Sequence, residues 1–572
     1  MKQTFLLVCV LLCACGPSGR PGNNGDDDDD SRCPRCTDDK MGVIDCNGNV
    51  TACPPELGCS DVVGLESDAP MCMPACEAAE NNNSSVGCDY YAVDMDAAMG
   101  PPHDACFAVF VANTSLGQAH MNIEFNGSFI NLAQFAKIPQ GSGQNLTYGP
   151  YDPGVGLAPG QVAIVFLAHA PTLSIPPNVS CPVPAAIGTE AQIPGNGIGK
   201  AFHITTDMPV VAYQMLPYGG GAAAATGASL LLPTSAWATN YVAVTAYDSA
   251  MPPPISFGMG PSMNIVAMEN DTVVTMRPKS NIGGGAGIPA GTANQPWTVT
   301  LQKGEHAQIT QLTPLSGSPI QADKPIGLFG GHQIMSIDRC CGDHGEQMIA
   351  PVRALGYEYV AAPHGDRKPV SEERIYRIFG AVDGTALTYD PPNVGPDRVQ
   401  LGEWHEIRSA TPFTVRSQDQ DHPFLMFTYM SGAGEQGEGG WGDADFVRMV
   451  PPQQYMKHYV FFADPTYPFT VLTVVRKKKD GAFKEVTLKC LGTVTGWQSV
   501  GSSGDYEITY VKLVDHFNGQ NGCNNGVNTM DSEAPFGVWV WGWGSEDTTT
   551  GWVSYGYPAG EGVLPINDVI IL

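Results

Sequence analysis

The sequence predicts an all-β chain of four sandwich-like modules, preceded by a small disulfide-rich segment. Three observations point there. An Asp/Glu-x-Pro step opens an apolar run four times, at Asp207-Met208-Pro209, Asp323-Lys324-Pro325, Asp421-His422-Pro423 and Glu533-Ala534-Pro535. A second phrase follows the first three: Pro233-x3-Trp237-x3-Tyr241-Val242, Pro351-x3-Leu355-x3-Tyr359-Val360 and Pro451-x3-Tyr455-x3-Tyr459-Val460. No long stretch shows a 3.6-residue apolar period. Register of this kind indicates duplication of one supersecondary unit.

Each unit opens on a hairpin signal. Asn270-Asp271, Asp383-Gly384 and Asp480-Gly481 each separate two apolar alternating runs, as type I′ turns do. Around Gly117 the runs FAVFVAN and HMNIEF fill the same place in the first copy. A Gly-acidic or Gly-Gln turn comes next, at Gly160, Gly304, Gly402 and Gly504. The Asp/Glu-x-Pro strand follows, its Pro suited to an edge or a strand's first residue. Spacing of about a hundred residues suits a sandwich better than a propeller blade. The repeats are set at 89–240, 241–358, 359–458 and 459–560, with 561–572 as a tail. A propeller-like closed arrangement of the same strands is the alternative.

Upstream, Phe5 to Leu12 and then Leu12-Cys13-Ala14-Cys15-Gly16 have the form of a lipoprotein signal peptide, residues 1–14. Cys15 would then be the acylated amino terminus, anchoring the protein at the outer membrane or cell surface. Residues 15–31, with Asp26 to Asp30 in a row, cannot bury a core and read as a self-repelling tether.

Cysteine usage points to an oxidising compartment. Cys33, Cys36, Cys46, Cys53, Cys59, Cys72, Cys76 and Cys88 crowd into the segment 32–88, which has few large apolar residues and needs staples to fold. Cys490 and Cys523 are expected to close one loop, and Cys106 and Cys181 flank the first repeat. Cys340 and Cys341 complete an even set of disulfide candidates. With His332 and His344 they are also the one compact group suited to zinc or copper. Adjacent cysteines reach a single metal poorly, and a vicinal disulfide or one bond from each to a distant partner is equally simple; no metal or other cofactor is assigned.

Acids outnumber bases 57 to 29, which argues against a phosphate-binding surface and nucleic acid. The basic run Arg476 to Lys479 reads as a solvated turn. No nucleophile elbow, zincin, phosphate-loop or dinucleotide signature occurs. Asp443 and Asp445 would suit a glycosidase pair, yet they sit in a Gly-rich loop that explains them equally well. No catalytic residue is assigned.

The runs FHITTDMPVVAYQMLP, SLLLPTSAWATNYVAV, DKPIGLFGGH, ERIYRIFGAVDGTALTYDP and DFVRMVPPQQYMKHYVFF, closing on Gly551-WVSYGYPAG, resemble the amino-terminal domain of the IgG Fc-binding protein family. That domain also occurs in exported proteins of myxobacteria and related bacteria. The resemblance covers roughly residues 89–560. It implies a binding domain with no catalytic residues to transfer.

A surface adhesin or ligand-binding lipoprotein follows as the expected function, with an extracellular protein or glycan as partner; a structural envelope component is the alternative, and an exported hydrolase ranks behind both. Tyr218 and Trp441, at the ends of Gly-rich loops, are the candidate ligand contacts. Trp539, Trp541 and Trp543 alternate onto one strand face and are expected in the core rather than on a sugar platform. Ligand and oligomeric state are left unassigned.

Overall fold

The computed structural model describes residues 33–61, 70–97, 105–141, 143–170, 180–189, 191–220, 225–248, 259–338, 341–367, 372–433, 441–545, 548 and 550–572. Cys15, the tether and Cys340 lie outside them. Nearly half of the chain is strand and only 5% helix, in agreement with the all-β expectation. The sheets curl into half-barrels, and no closed propeller is seen among the described residues.

Each copy is organised by one long strand. These are Phe202–Leu216, Pro319–Met335 and Gly526–Trp543, and in the third copy the broken pair Thr414–Arg416 and Phe424–Met430. The repeated proline marks where the ladder fails. Pro209, Pro325 and Pro535 sit inside register shifts, and Pro423 immediately precedes Phe424–Met430. Proline has no N–H to give, so the irregularity falls where a donor is dispensable. In the first two copies the aspartate supplies an acceptor to the neighbouring strand. Asp207 Oδ1 accepts from His120 N at 2.7 Å, and Asp323 Oδ1 from Val273 N at 2.8 Å.

The expected hairpins are the main correction. In the second copy Pro261–Ala267 and Thr272–Met276 do not pair with each other. Ile326 is bridged by Ala267 and by Ala238, and Ile320 by Met276 and by Tyr241. A strand residue has two edges, so the strands before and after Asn270-Asp271 lie end to end along one edge of the long strand. Ala238–Val242 occupies the other. Copies one and four repeat this pattern. The turn signal was sound, with Asp271 and Asp480 at φ 56° and 52°, but it marks a kink opposite the proline rather than a reversal. The Gly turns before the next strand all have positive φ, from 69° at Gly504 to 77° at Gly402.

The second phrase is a lock. In each case the proline opens a single 3-10 turn, and the tyrosine that follows is buried. Tyr241 Oη donates to Ile326 O at 2.7 Å and accepts from Ala238 N at 3.1 Å. Tyr359 donates to Phe424 O at 2.7 Å and accepts from Gly356 N at 3.3 Å. Tyr459 bonds Phe536 O and Met456 N likewise. Each hydroxyl thus fastens the carbonyl just past the repeated proline. Tyr90, in the strand Gly87–Ala92, donates to Val210 O at 2.7 Å. The first copy therefore carries the same lock, although its sequence lacks the Pro-x3 phrase.

The copies share cores. One buried cluster joins copies one and two and reaches into the third; a second joins one and four; a third joins three and four. Strands such as Phe107–Asn113 and Phe424–Met430 are buried at every residue because neighbours cover both faces. Trp539, Trp541 and Trp543 face the core shared with copy three, while Val538 and Val540 face the one shared with copy one. The tail closes the chain on itself, since Ser85 N donates to Glu561 O at 2.8 Å and Ser84 bridges Gly562.

Disulfides join Cys33 to Cys46, Cys36 to Cys59, Cys53 to Cys72 and Cys76 to Cys88 in the leading segment. Cys106 bonds Cys181 and Cys490 bonds Cys523. Cys341 is also disulfide-bonded.

Candidate functional site: the loop end

After each long strand the chain turns back through a short return strand: Gly227–Leu230, Asp343–Met348, Asp445–Arg448 and Ser554–Pro558. These four neighbour one another in cyclic order. Their polar contacts fix the alignment. Gln347 Nε2 donates to both Ala228 O and Gly556 O at 2.8 Å. Below it, Arg448 donates to Met348 O and forms a buried ion pair with Glu561. Above it, Asp343 accepts from Thr226 N at 3.1 Å and from the Ser554 hydroxyl at 3.0 Å, while that hydroxyl also donates to Asp443 O at 3.0 Å. Matching positions of the copies meet level by level, so the described residues that precede the return strands, 217–220 and 225–226, 336–338 and 341–342, 431–433 and 441–444, and 544–545 and 550–553, gather at one end.

Direct contacts confirm the gathering. Gly432 N donates to Ile337 O at 3.0 Å and Gly442 N to Gly544 O at 2.9 Å, and Ser554 N, just past the fourth segment, donates to Thr226 Oγ1 at 3.2 Å. Arg367, fully buried, staples the third of these loops. Its guanidinium pairs with Glu372 at 2.9 Å and donates to Ser431 O at 3.0 Å and Trp441 O at 2.8 Å. Burial pushes the Glu372 carboxyl up, but Arg367, with help from His364 and Arg374, outweighs it and holds the group far below the usual range.

The expected contact residues fare differently. Tyr218 is 3% exposed, its ring edge-on to Phe166 and its hydroxyl 2.9 Å from that of Tyr148. It packs the core shared by copies one and four and is not presented to a ligand. Trp441 is half-buried, with its ring centre 4.9 Å from that of Phe469, and borders the loop end. Between these residues, 221–224 and 434–440 lie outside the described residues. Sequence reasoning missed Trp552, which is 41% exposed and held at φ 57°. Positive φ is a genuine outlier for so bulky a residue, and no composition signal announces it.

The buried acids are not arranged as a hydrolytic pair. Asp443 and Asp445 are fully buried, and desolvation pushes Asp443 up to about 6 and Asp445 well above the usual range. Asp343 is raised by burial and by the neighbouring Asp443 and Asp445 charges. Of the three, Asp343 bonds across copies, to Thr226 N and Ser554, while Asp443 and Asp445 each accept from the backbone N–H of the next residue. His332 and His344 are likewise buried, which pushes them down to about 3 and 4. No group of three or more His, Cys, Asp or Glu stands in metal-holding geometry among the described residues.

No match to the chain is found among curated proteins. The family model described as IgGFc binding protein matches residues 227–542. That match begins in the first return strand and ends within the Trp-bearing long strand, so it is shorter than the repeat region the structure defines. It spans more than half of the sequence, and the chain belongs to the IgGFc binding protein family.

Proposed function

We propose that this protein is a cell-envelope lipoprotein, anchored through Cys15, that binds or adheres to extracellular proteins or glycans without catalysing a reaction. The observation that carries the reading is the gathering, among the described residues, of the loop ends of every copy at a single end of a rigid, mutually locked scaffold. Recognition residues commonly sit on loops that a rigid framework positions. Membership of a binding-domain family and six described disulfide pairings are consistent with an exported binder.

The test is a binding screen of the full chain against glycans, mucin-type glycoproteins, immunoglobulin and envelope fractions of neighbouring cells. Saturable binding that disappears when 431–441 is replaced by a short Gly-Ser link supports the proposal. Silence across the panel, with folding confirmed by circular dichroism, would instead favour a structural envelope component. Radiolabelled palmitate that fails to enter the chain, or enters a Cys15→Ser variant equally, would remove the anchor.

A further inference from the structure

A cleft of about 520 Å³ opens at the seam between the second and third copies, lined by Arg277, Lys279, Asn294, Gln295, Pro319 and Asp383 among others. That volume is within the range of about 300–1,000 Å³ typical of small-molecule sites. Pro319 begins the long strand whose other end leads into the loop 336–342, so the cleft lies up to about 50 Å along that strand from the loop end.

Its polar groups are uncommitted. The Arg277 guanidinium and the side-chain amides of Asn294 and Gln295 have no hydrogen-bond or ion-pair partner among the described residues, and Lys279 makes a single long bond, to Leu401 O at 3.4 Å. Two cations without an ion-pair partner among the described residues line one cleft, in a chain of formal charge −28. Asp383 is the one carboxylate in the lining, and its Oδ1 accepts from Leu401 N at 3.1 Å.

The site is also built to hold its shape. Gly317 and Gly402, at φ 85° and 77°, bring turns of the two copies into backbone contact. A Cβ on Gly317 would stand 2.5 Å from Gly402 O, and one on Gly402 would overlap Lys279 Cε. Only glycine permits this approach, and it wedges the Lys279 stem between the copies.

We propose that this cleft binds an anionic saccharide, a sugar bearing a carboxylate or sulfate. Arg277 takes the anion in its planar fork. Lys279 and the two amides take flanking hydroxyl and ring oxygens, the amides as paired donors and acceptors. An acidic peptide fits less well, because Pro296 and Pro319 withhold backbone donors that an added strand needs. The proposal deepens the glycan branch of the binding function, yet it occupies a different surface, so the two readings fail separately.

Calorimetric titration of the full chain tests it with four probes: a glucuronate-containing tetrasaccharide, its carboxyl-reduced counterpart, a sulfated tetrasaccharide and hexaglutamate. One or both anionic sugars should bind saturably, and which one does so names the anion; the reduced sugar should not bind. Arg277→Ala should weaken binding by about tenfold or more, the loss of a charge-assisted pair. Asp383→Asn should tighten it by removing a like charge, a gain that misfolding cannot imitate. Replacing 431–441 should leave the affinity unchanged. The proposal is overturned if the reduced sugar binds equally, if Arg277→Ala has no effect, if hexaglutamate is preferred, or if none of the probes binds at millimolar concentration.

Discussion

Replacing Tyr359 by Phe removes one hydroxyl from the core shared by copies three and four, and the structure says what that hydroxyl does. It donates to Phe424 O at 2.7 Å and accepts from Gly356 N at 3.3 Å, with the ring 1% exposed. Water cannot reach either backbone partner once the hydroxyl is gone. Leaving a buried polar group unpaired costs about 1–3 kcal/mol, so Tyr359→Phe should destabilise the protein by about 2–4 kcal/mol. Tyr376 supplies the control. It belongs to the same cluster, is fully buried, and its hydroxyl has no hydrogen-bond partner among the described residues. Tyr376→Phe deletes the same atom but relieves an unmet desolvation cost, so it should be neutral or stabilise by about 1 kcal/mol. Urea denaturation followed by tryptophan fluorescence reads both changes through the midpoint and slope. If Tyr359→Phe proves as harmless as Tyr376→Phe, the repeated tyrosine is packing material and the lock is wrong.

Other consequences follow from the same geometry. Asp443 has its pKa raised from 3.8 to about 6 by burial, so its charged form opposes folding, and this penalty grows as pH rises from about 4 through 6. Asp443→Asn should therefore stabilise the fold by about 2–3 kcal/mol above pH 7 and make no difference below pH 4, as measured by melting across pH. Buried His306 and His364, pushed down to about 3, act oppositely: their neutral forms sustain the fold above the unfolded value near 6.5, and that contribution is lost as pH falls toward 3. Arg367→Ala removes one of the two cations beside buried Glu372, leaving Arg374 at 2.9 Å, and strips Ser431 O and Trp441 O of a donor; it should cost about 1–3 kcal/mol in the urea experiment. The Cys490–Cys523 disulfide closes a separation of 33 residues, and its removal by paired Ser substitution should cost about 3–4 kcal/mol.

How far the sequence revealed this depends on what each signal physically reports. The Asp/Glu-x-Pro steps report a missing donor, and all four fall where the ladder is interrupted. Asx-Gly and Asn-Asp report positive φ, which a kink between end-to-end strands needs as much as a hairpin does. Only the long strand's two edges decide between them, and pairing over some fifty residues leaves no local trace. The runs FAVFVAN and FLMFTYM are apolar at nearly every position rather than alternating, a sign of burial on both faces, and neighbouring copies supply the cover. Tyr90 was harder to place because its copy lacks the Pro-x3 spacing that flags the other three. At the loop end, Tyr218 and Trp441 occupy similar places beside Gly-rich segments, yet one ring turns into a core and the other stays at the rim. Arg367 offered no signal, since its partners Ser431 and Trp441 are distant in sequence.

The measurement closest to the central claim is amide hydrogen exchange on the full chain, free and saturated with whichever panel member binds. Protection concentrated in 217–226, 336–342, 431–444 and 544–553, and lost with the 431–441 replacement, is the predicted result. Protection confined to the strands or to the Cys-rich segment, with these loops unchanged, would contradict the assignment of the binding surface.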